Sequence, residues 1–367
     1  MLFSKYNIKI HFAHRTFSWR NEAKGNAAVH VVIIGFANFD SLFKKIFEYE
    51  DIQAEPHEVP AKNINAYLID GKEIFIHARN NPICNVSKIV YGNKPTDGGN
   101  FLLTDEEKNT FLITEPKAEK YLKPFISAHE YFNNKKRWCL WLKDATPSEL
   151  KQLPQVMERI EGVRSCRQKS TKLATQKLAN FPTIFEFTSQ PESNYILIPR
   201  HSSENRKYVP FGFFTKNEIA ADSCSLIPNA TLYEFGIISS VIHHVWLKNI
   251  CGRIKSDYRY SGSIVYNNYP WPQSPTDKQK QAVETAAQNV LDTRALFPQS
   301  SLADLYHPLT MPPALTKAHN ALDKAVDACY RSQPFTTDAN RMEFLFDLYE
   351  TYTAGLFVPV NKTKIKK

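Results

Sequence analysis

The sequence predicts a mixed α+β fold, strand-rich at its start and helical at its end. Three observations carry that prediction. "NIKIHFAHRTFSW" alternates as a strand does and "AAVHVVIIGF" is a β-rich apolar run. The middle of the chain, 61–275, mixes short apolar strands with helical stretches. From Thr276 to Phe357 three amphipathic helix patterns follow one another across proline-rich breaks.

The first two runs flank the polar loop "RNEAKGN", so they read as a hairpin, and a hairpin needs a larger sheet to lie against. "NAYLIDGKEIFIHAR" then reads as two strands around Asp70-Gly71. "YGNKPTDGGNFLLT" is a turn-rich loop leading into a strand, and "RWCLWL", "TIFEFT" and "NYILIPR" read as further strands. A basic helical stretch covers Pro154 to Leu178. "TLYEFGIISSVIHHVWLKNICG" has helical spacing up to Gly252, a suitable helix end. "KQKQAVETAAQNVLDTRALF", "PALTKAHNALDKAVDACY" and "DANRMEFLFDLYETYTAGL" are the closing helices, the last capped by Asp338. "NKTKIKK", within 358–367, is a basic tail.

Composition narrows the function classes. Of 367 residues 43% are hydrophobic and 13% aromatic, which suits a folded chain with real cores and excludes a disordered one. The net charge of +9 favours a polyanionic partner, with surface solubility as the plainer account. The six cysteines form no CxxC pair and none has a histidine at zinc spacing, so reduced thiols and a cytoplasmic setting are expected. No apolar run reaches the ~20 residues of a membrane helix. His243 and His244 are adjacent and would point apart on a helix, which argues against a shared metal. "TDGGN" reads as a turn, and Asp323 and Asp327, one helical turn apart, as solvent-facing.

Two stretches carry candidate chemistry. In "RTFSWRNEAKGNAAVHVVIIGF" Phe17 and Trp19 stand at a strand end, where aromatic side chains either fill a core or offer a stacking surface. In "CGRIKSDYRYSGSIVYNNYPWP" Arg253, Lys255 and Arg259 alternate with Tyr258 and Tyr260, a pattern suited to phosphates and guanine edges. The same pattern fits a solvated loop packed over a core by Tyr269 and Trp271. A further set of cations, Arg164, Arg167, Lys169, Lys172 and Lys177, lies in an acid-free run of the basic helical stretch.

Taken in order, "FAHRTFSWRNEAKGNAAVHVVIIGF", "YGNKPTDGGNFLL", "GRIKSDYRYSGSIVYNNYPWP" and "SLADLYHPLTMPPALTKAHNALDKAVDACY" resemble the C-terminal half of MmeI-like DNA adenine methyltransferases and restriction–modification enzymes. The resemblance runs from His11 to Phe357. It implies terminal strands of a Rossmann-like methyltransferase sheet over 1–60, a mixed α/β target-recognition domain over 61–275 and a C-terminal helical bundle over 276–357. It implies double-stranded DNA as partner and Phe17, then Trp19, as the ring that stacks on a flipped base. Arg253, Lys255, Tyr258, Arg259, Arg164, Arg167, Lys169 and Lys172 become DNA-contact candidates.

The departures from that family are equally definite. The glycine-rich loop that admits S-adenosylmethionine is absent, and so is the Asn-Pro-Pro-Tyr tetrapeptide that holds the target amine. "NNPICN" lacks one proline and lies after the hairpin instead of before it, and "MPPAL" lacks the leading Asn or Asp. The expectation is a chain that binds no cofactor itself and is inactive alone. S-adenosylmethionine would serve the complete enzyme, with a missing catalytic half encoded upstream in a truncated or split gene. The alternative is a stand-alone specificity subunit that docks on a separate methyltransferase or nuclease polypeptide, and a third reading is an inactive relic.

Overall fold

The structure, a computed structural model, describes residues 2–19, 29–49 and 54–354. The fold is mixed, with several small sheets and a helical C-terminal region. The described chain separates into two compact units, neither contiguous in sequence. One comprises 1–84, 245–272 and 331–367; the other comprises 85–244 and 273–330. Each is described by itself.

The first unit opens with a short helix, Leu2–Tyr6, and a four-stranded sheet. Its strands are β1 (Lys9–Trp19), β2 (Val29–Ala37), β3 (Lys44–Glu48) and β4 (His57–Ala61), in the order β2-β1-β3-β4. The expected hairpin is present as antiparallel β1 and β2, and its loop "RNEAKGN" lies outside the described residues. Strand β3 joins β1 in parallel. Irregular register between Ile10 and Phe12, and again between His14 and Phe17, re-aims the later side chains of β1. Ile10, Ala13, Ile46, Ala61 and Ile64 form the small buried core on this sheet.

The second hairpin expected here, around Asp70-Gly71, does not form. The Asn65 side-chain oxygen takes the backbone N–H groups of Tyr67 and Ile69, and its amide donates to the Lys72 carbonyl. A side chain that satisfies the backbone locally competes with a strand ladder, and Leu68 adopts a positive φ of 56° within that turn. The following "IFIHAR" runs extended without a strand partner. Its carbonyls at His77 and Arg79 are held instead by the amides of Asn268 and Asn267.

The second unit holds two four-stranded sheets. One has the order Gly212–Phe214, Tyr195–Pro199, Cys224–Pro228, Val90–Tyr91, all antiparallel. The other runs Ile219–Ala220, Leu122–Ile126, Arg137–Leu140, Leu102–Thr104, with its first pair parallel. Of the expected strands, "RWCLWL" and "NYILIPR" are realised, whereas "TIFEFT" contributes only an isolated bridge at Phe187. The helix Pro154–Gln168 buries Val156, Ile160, Val163 and Arg167, one stripe of a helical surface. Its first turn lacks a side-chain cap of its own; the buried Glu115 carboxylate accepts from the N–H groups of Gln155 and Val156 there.

The basic helical stretch and the 231–252 run each break in two. Gln168 ends the first helix and Leu173–Leu178 forms a second. Leu232–Ile238 and Val241–Ile250 are separated at Ser239-Ser240. Five described helices begin on reciprocal capping boxes, among them Thr231/Glu234 and Thr276/Gln279. The three C-terminal helices are present as Asp277–Ala295, Pro313–Tyr330 and Asp338–Thr353, the last capped by Thr337 with Asp338 as its first residue. The first two pack with Leu232–Ile238 in the second unit, and the third belongs to the first unit.

Asp323 is not solvent-facing. It is 8% exposed and accepts from the Tyr208 hydroxyl at 2.6 Å and the Val241 N–H at 2.7 Å. Burial pushes its carboxyl up to about 6. Beside it His319 stacks on Tyr208 at 4.1 Å, and its Nε2 meets the Tyr306 hydroxyl at 2.8 Å. Arg294 donates to that hydroxyl and to the Phe211 carbonyl. Among the described residues no helix is long and apolar enough to cross a membrane.

Candidate nucleic-acid interface

In the first unit an aromatic group lies along β1 and β3. His14 stacks on Phe47 with centroids 4.1 Å apart and planes 3° from parallel. Phe17 stacks on Tyr49 at 5.1 Å, and Tyr49 hydrogen-bonds His14 Nδ1 at 2.8 Å. Phe17 is half-buried with one face on Tyr49, while Trp19, 6.2 Å from it, is 52% exposed at the strand end. Next to them an open groove is lined by His11, Phe12, His14, Phe43, Lys45 and Phe47. The arrangement is a platform of flat rings with few charges, suited to stacking.

The same unit carries the basic-aromatic hairpin. Gly252–Ile254 pairs with Asp257–Arg259, and Lys255 at the turn takes a positive φ of 56°. Lys255 and Arg259 are exposed. Arg253 is half-buried: its guanidinium donates to the Ser256 carbonyl at 2.7 Å and lies over the Tyr258 ring at 4.7 Å. Tyr258 itself is 3% exposed. These two candidates thus hold the hairpin together, and Lys255 and Arg259 form its outward charge. Burial pushes the neighbouring Cys251 thiol up to about 11, which keeps it protonated. Tyr260, Tyr269 and Trp271 are buried beneath, and the Trp246 indole donates to the Val265 carbonyl within a π-helical turn, Gly262–Tyr266. Arg15 ties β1 to this region, bonding Glu48 at 2.9 Å and Asn249 at 3.1 Å.

In the second unit the cationic run divides sharply. Arg167 is 0% exposed. It donates to five carbonyls, those of Pro95, Thr96, Leu178, Phe181 and Ile184. Its side chain therefore has no surface to offer a ligand and belongs to the framework. Arg164 pairs with Glu161 at 3.0 Å, whereas Lys169 and Lys172 are exposed. "TDGGN" is a turn: Asp97 accepts from Phe101 N–H, and Gly98 and Gly99 take φ of 64° and 85°. Among the described residues no cluster of three or more His, Cys, Asp or Glu could hold a metal ion.

The first unit thus presents a ring platform beside the outward Lys255 and Arg259, and the second presents Lys169 and Lys172. Comparison with known proteins gives the family. Residues 70–273 match the model of the MmeI target recognition domain, 275–357 that of the MmeI C-terminal domain and 1–48 that of the MmeI DNA-methyltransferase domain. The chain belongs to the MmeI family. It is similar to DNA methyltransferase A of Bacillus subtilis (strain 168), 38% identical over 349 residues, which are 95% of this chain and 39% of that protein. It is also similar to a solved structure of the type IIL restriction-modification enzyme MmeI in complex with DNA. That match has 49% identity and a TM-score of 0.89, and covers 95% of this chain and 46% of the other. The chain therefore spans less than half the length of either relative.

The linear pattern had pointed to Phe17, Trp19, Lys255, Arg259, Lys169 and Lys172, and all of these keep accessible surface. It could not show that Arg167 and Tyr258 turn inward. It also missed His14, Phe47 and Tyr49, whose rings meet only once β3 pairs with β1.

Proposed function

We propose that this chain is the DNA-recognition portion of a site-specific DNA adenine-N6 methyltransferase of the restriction–modification kind. The observation that carries this reading is the 49% identity, over 95% of the chain, to a protein solved in complex with DNA. The chemistry is in keeping with it. Lys255 and Arg259 at the hairpin supply the charge and donors for base edges or nearby phosphates, and Arg164, Lys169 and Lys172 neutralise backbone phosphates. Phe17 offers its ring to an extruded adenine, with Trp19 behind it at the strand end.

S-adenosylmethionine is the methyl donor of the complete enzyme, but the described residues do not fit as its cradle. Such a cradle needs a glycine-rich loop directly after a strand of the catalytic sheet; the open glycines here are Gly99, in the 97–101 turn, and Gly252, in the Lys255 hairpin. At Gly35, in β2, the place of a Cβ is filled by the Phe12 ring, at 2.0 Å. At Gly98 it is filled by the Cys166 sulfur, at 2.7 Å. We accordingly assign donor binding and amine positioning to further methyltransferase polypeptide. The apolar side chains left on the sheet of β1–β4 favour such a covering: in β2, Phe36 is 58% exposed and Val29 49%. A specificity subunit docking on a separate catalytic polypeptide is the second reading, favoured by the same surface.

Two measurements test the proposal. The chain should bind duplex DNA with salt-dependent affinity, and Arg259→Ala should weaken that binding by about 1–3 kcal/mol at fixed salt. An unchanged affinity removes Arg259 from the interface. Addition of the catalytic half of a relative should then restore labelled-methyl transfer to adenine in bound DNA. Binding without any transfer in that mixture would leave recognition standing and reject the pairing.

A further inference from the structure

Between Gly162 and Phe185 the chain carries five cationic residues and no Asp or Glu. The helix Leu173–Leu178 and the turns after it lie within this acid-free run. Thr175 and Ala179 are buried there, whereas Leu173, Lys177 and Phe181, four residues apart, are exposed. Leu173 and Lys177 share one face of the helix, and i→i−3 hydrogen bonds from Ala179 to Gln176, Asn180 to Lys177 and Phe181 to Leu178 then tighten the chain into turns that present Phe181 directly beyond it. Leu173 is 74% exposed and Phe181 60%. Lys169 and Lys172 are exposed just ahead of them.

The ridge is stiff. Buried Arg167 holds the carbonyls of Leu178, Phe181 and Ile184, and Pro182 fixes the backbone directly after the ring. A large apolar pair kept in water on a rigid element marks a contact surface. The charge around it selects the partner: the five cations of the run outnumber the flanking Glu161, paired with Arg164, and Glu186, paired with Lys94 and near Lys172, and so complement a polyanion.

We propose that Leu173, Lys177 and Phe181 form an apolar-tipped ridge that enters a groove of duplex DNA, with Phe181 pressed on a base-pair step and Lys169, Lys172 and Lys177 on the flanking phosphates. This rests on the DNA-binding reading above. Apolar side chains used in this way partly unstack the step they touch, and the cations beside them hold the duplex against the wedge.

The test uses the whole chain and duplexes carrying 2-aminopurine at successive positions, read by fluorescence and by affinity across a salt series. With the unaltered chain, one position should brighten on binding. Phe181→Ala should abolish that signal and weaken binding roughly tenfold, with the salt slope unchanged. Phe181→Leu should keep part of both. Replacing the three lysines by alanine should lower the salt slope by about three. Thermal melts of each variant confirm that folding is intact. If the unaltered chain binds and Phe181→Ala binds equally well, or if no position brightens, the ridge proposal alone falls. If the unaltered chain has no salt-dependent affinity for any duplex, the DNA-binding reading falls with it.

Discussion

Arg167→Ala is expected to destabilise the second unit by on the order of 4–5 kcal/mol, the largest effect of any single substitution considered. The guanidinium is buried and its donors converge on five carbonyls drawn from two separate stretches, 95–96 and 178–184. Removing it takes the donor from the Pro95, Thr96 and Ile184 carbonyls, whereas those of Leu178 and Phe181 keep the N–H groups of Phe181 and Ile184, and each buried orphan costs about 1–3 kcal/mol before relaxation. Lysine cannot stand in, because three donors on a flexible stem do not reproduce a planar five-donor fork. Both Arg167→Ala and Arg167→Lys should therefore lower the melting temperature, and amide exchange should accelerate at 94–101 and 178–187 in particular. Wild-type protection in those segments for either variant would show that the guanidinium is dispensable.

The second large effect concerns pH. Burial raises the Asp323 carboxyl from 3.8 to about 6, so the folded state holds that proton more tightly than the unfolded chain does. Its contribution to stability is full below pH 4, declines as pH rises through 4 to 6 and is flat above. The loss across that window is roughly 3 kcal/mol. Asp323→Asn removes the titration while keeping an acceptor for the Val241 N–H and a polar partner for the Tyr208 hydroxyl. The stability of the Asn variant relative to wild type should therefore rise between pH 4 and 6 and level off beyond. Urea unfolding at a series of pH values reads this directly, and parallel curves for the two proteins would refute it. Asp323→Ala, which orphans both donors, should be less stable than Asp323→Asn throughout.

How far the sequence could be read depended on where the decisive hydrogen bonds lie. Local grammar was legible: the β1–β2 alternation, the strands at 137–140 and 195–199, and helix starts such as Thr276-x-x-Gln279 all express short-range preferences. Segments with the right alternation but a distant competitor were misread. "TIFEFT" has the apolar pattern of a strand, yet Arg167 takes the Ile184 carbonyl and only Phe187 finds a bridge partner. "KEIFIHAR" lost its ladder to the side chains of Asn65, Asn267 and Asn268. At the candidate interface, residue type predicted charge and aromaticity correctly but not direction. Arg253 and Arg167 look like surface cations in one dimension and are ligands for carbonyls in three.

The interleaving of the two compact units bears on how such chains can diversify. A crossover between homologous genes at position 274 would exchange the whole target-recognition segment and look harmless on a linear map. It would nevertheless separate Tyr208 and Val241 from Asp323, and Phe211 from Arg294, partners contributed by opposite sides of that cut. Viable recombinants must inherit both sides together or already share these pairs. Two contacts that shape the Lys255 turn are local, since the Arg253–Ser256 bond and the Arg253–Tyr258 contact lie within eight consecutive residues. Point substitution of the exposed Lys255 leaves those two contacts in place, whereas shuffling at position 274 divides the pairs named above.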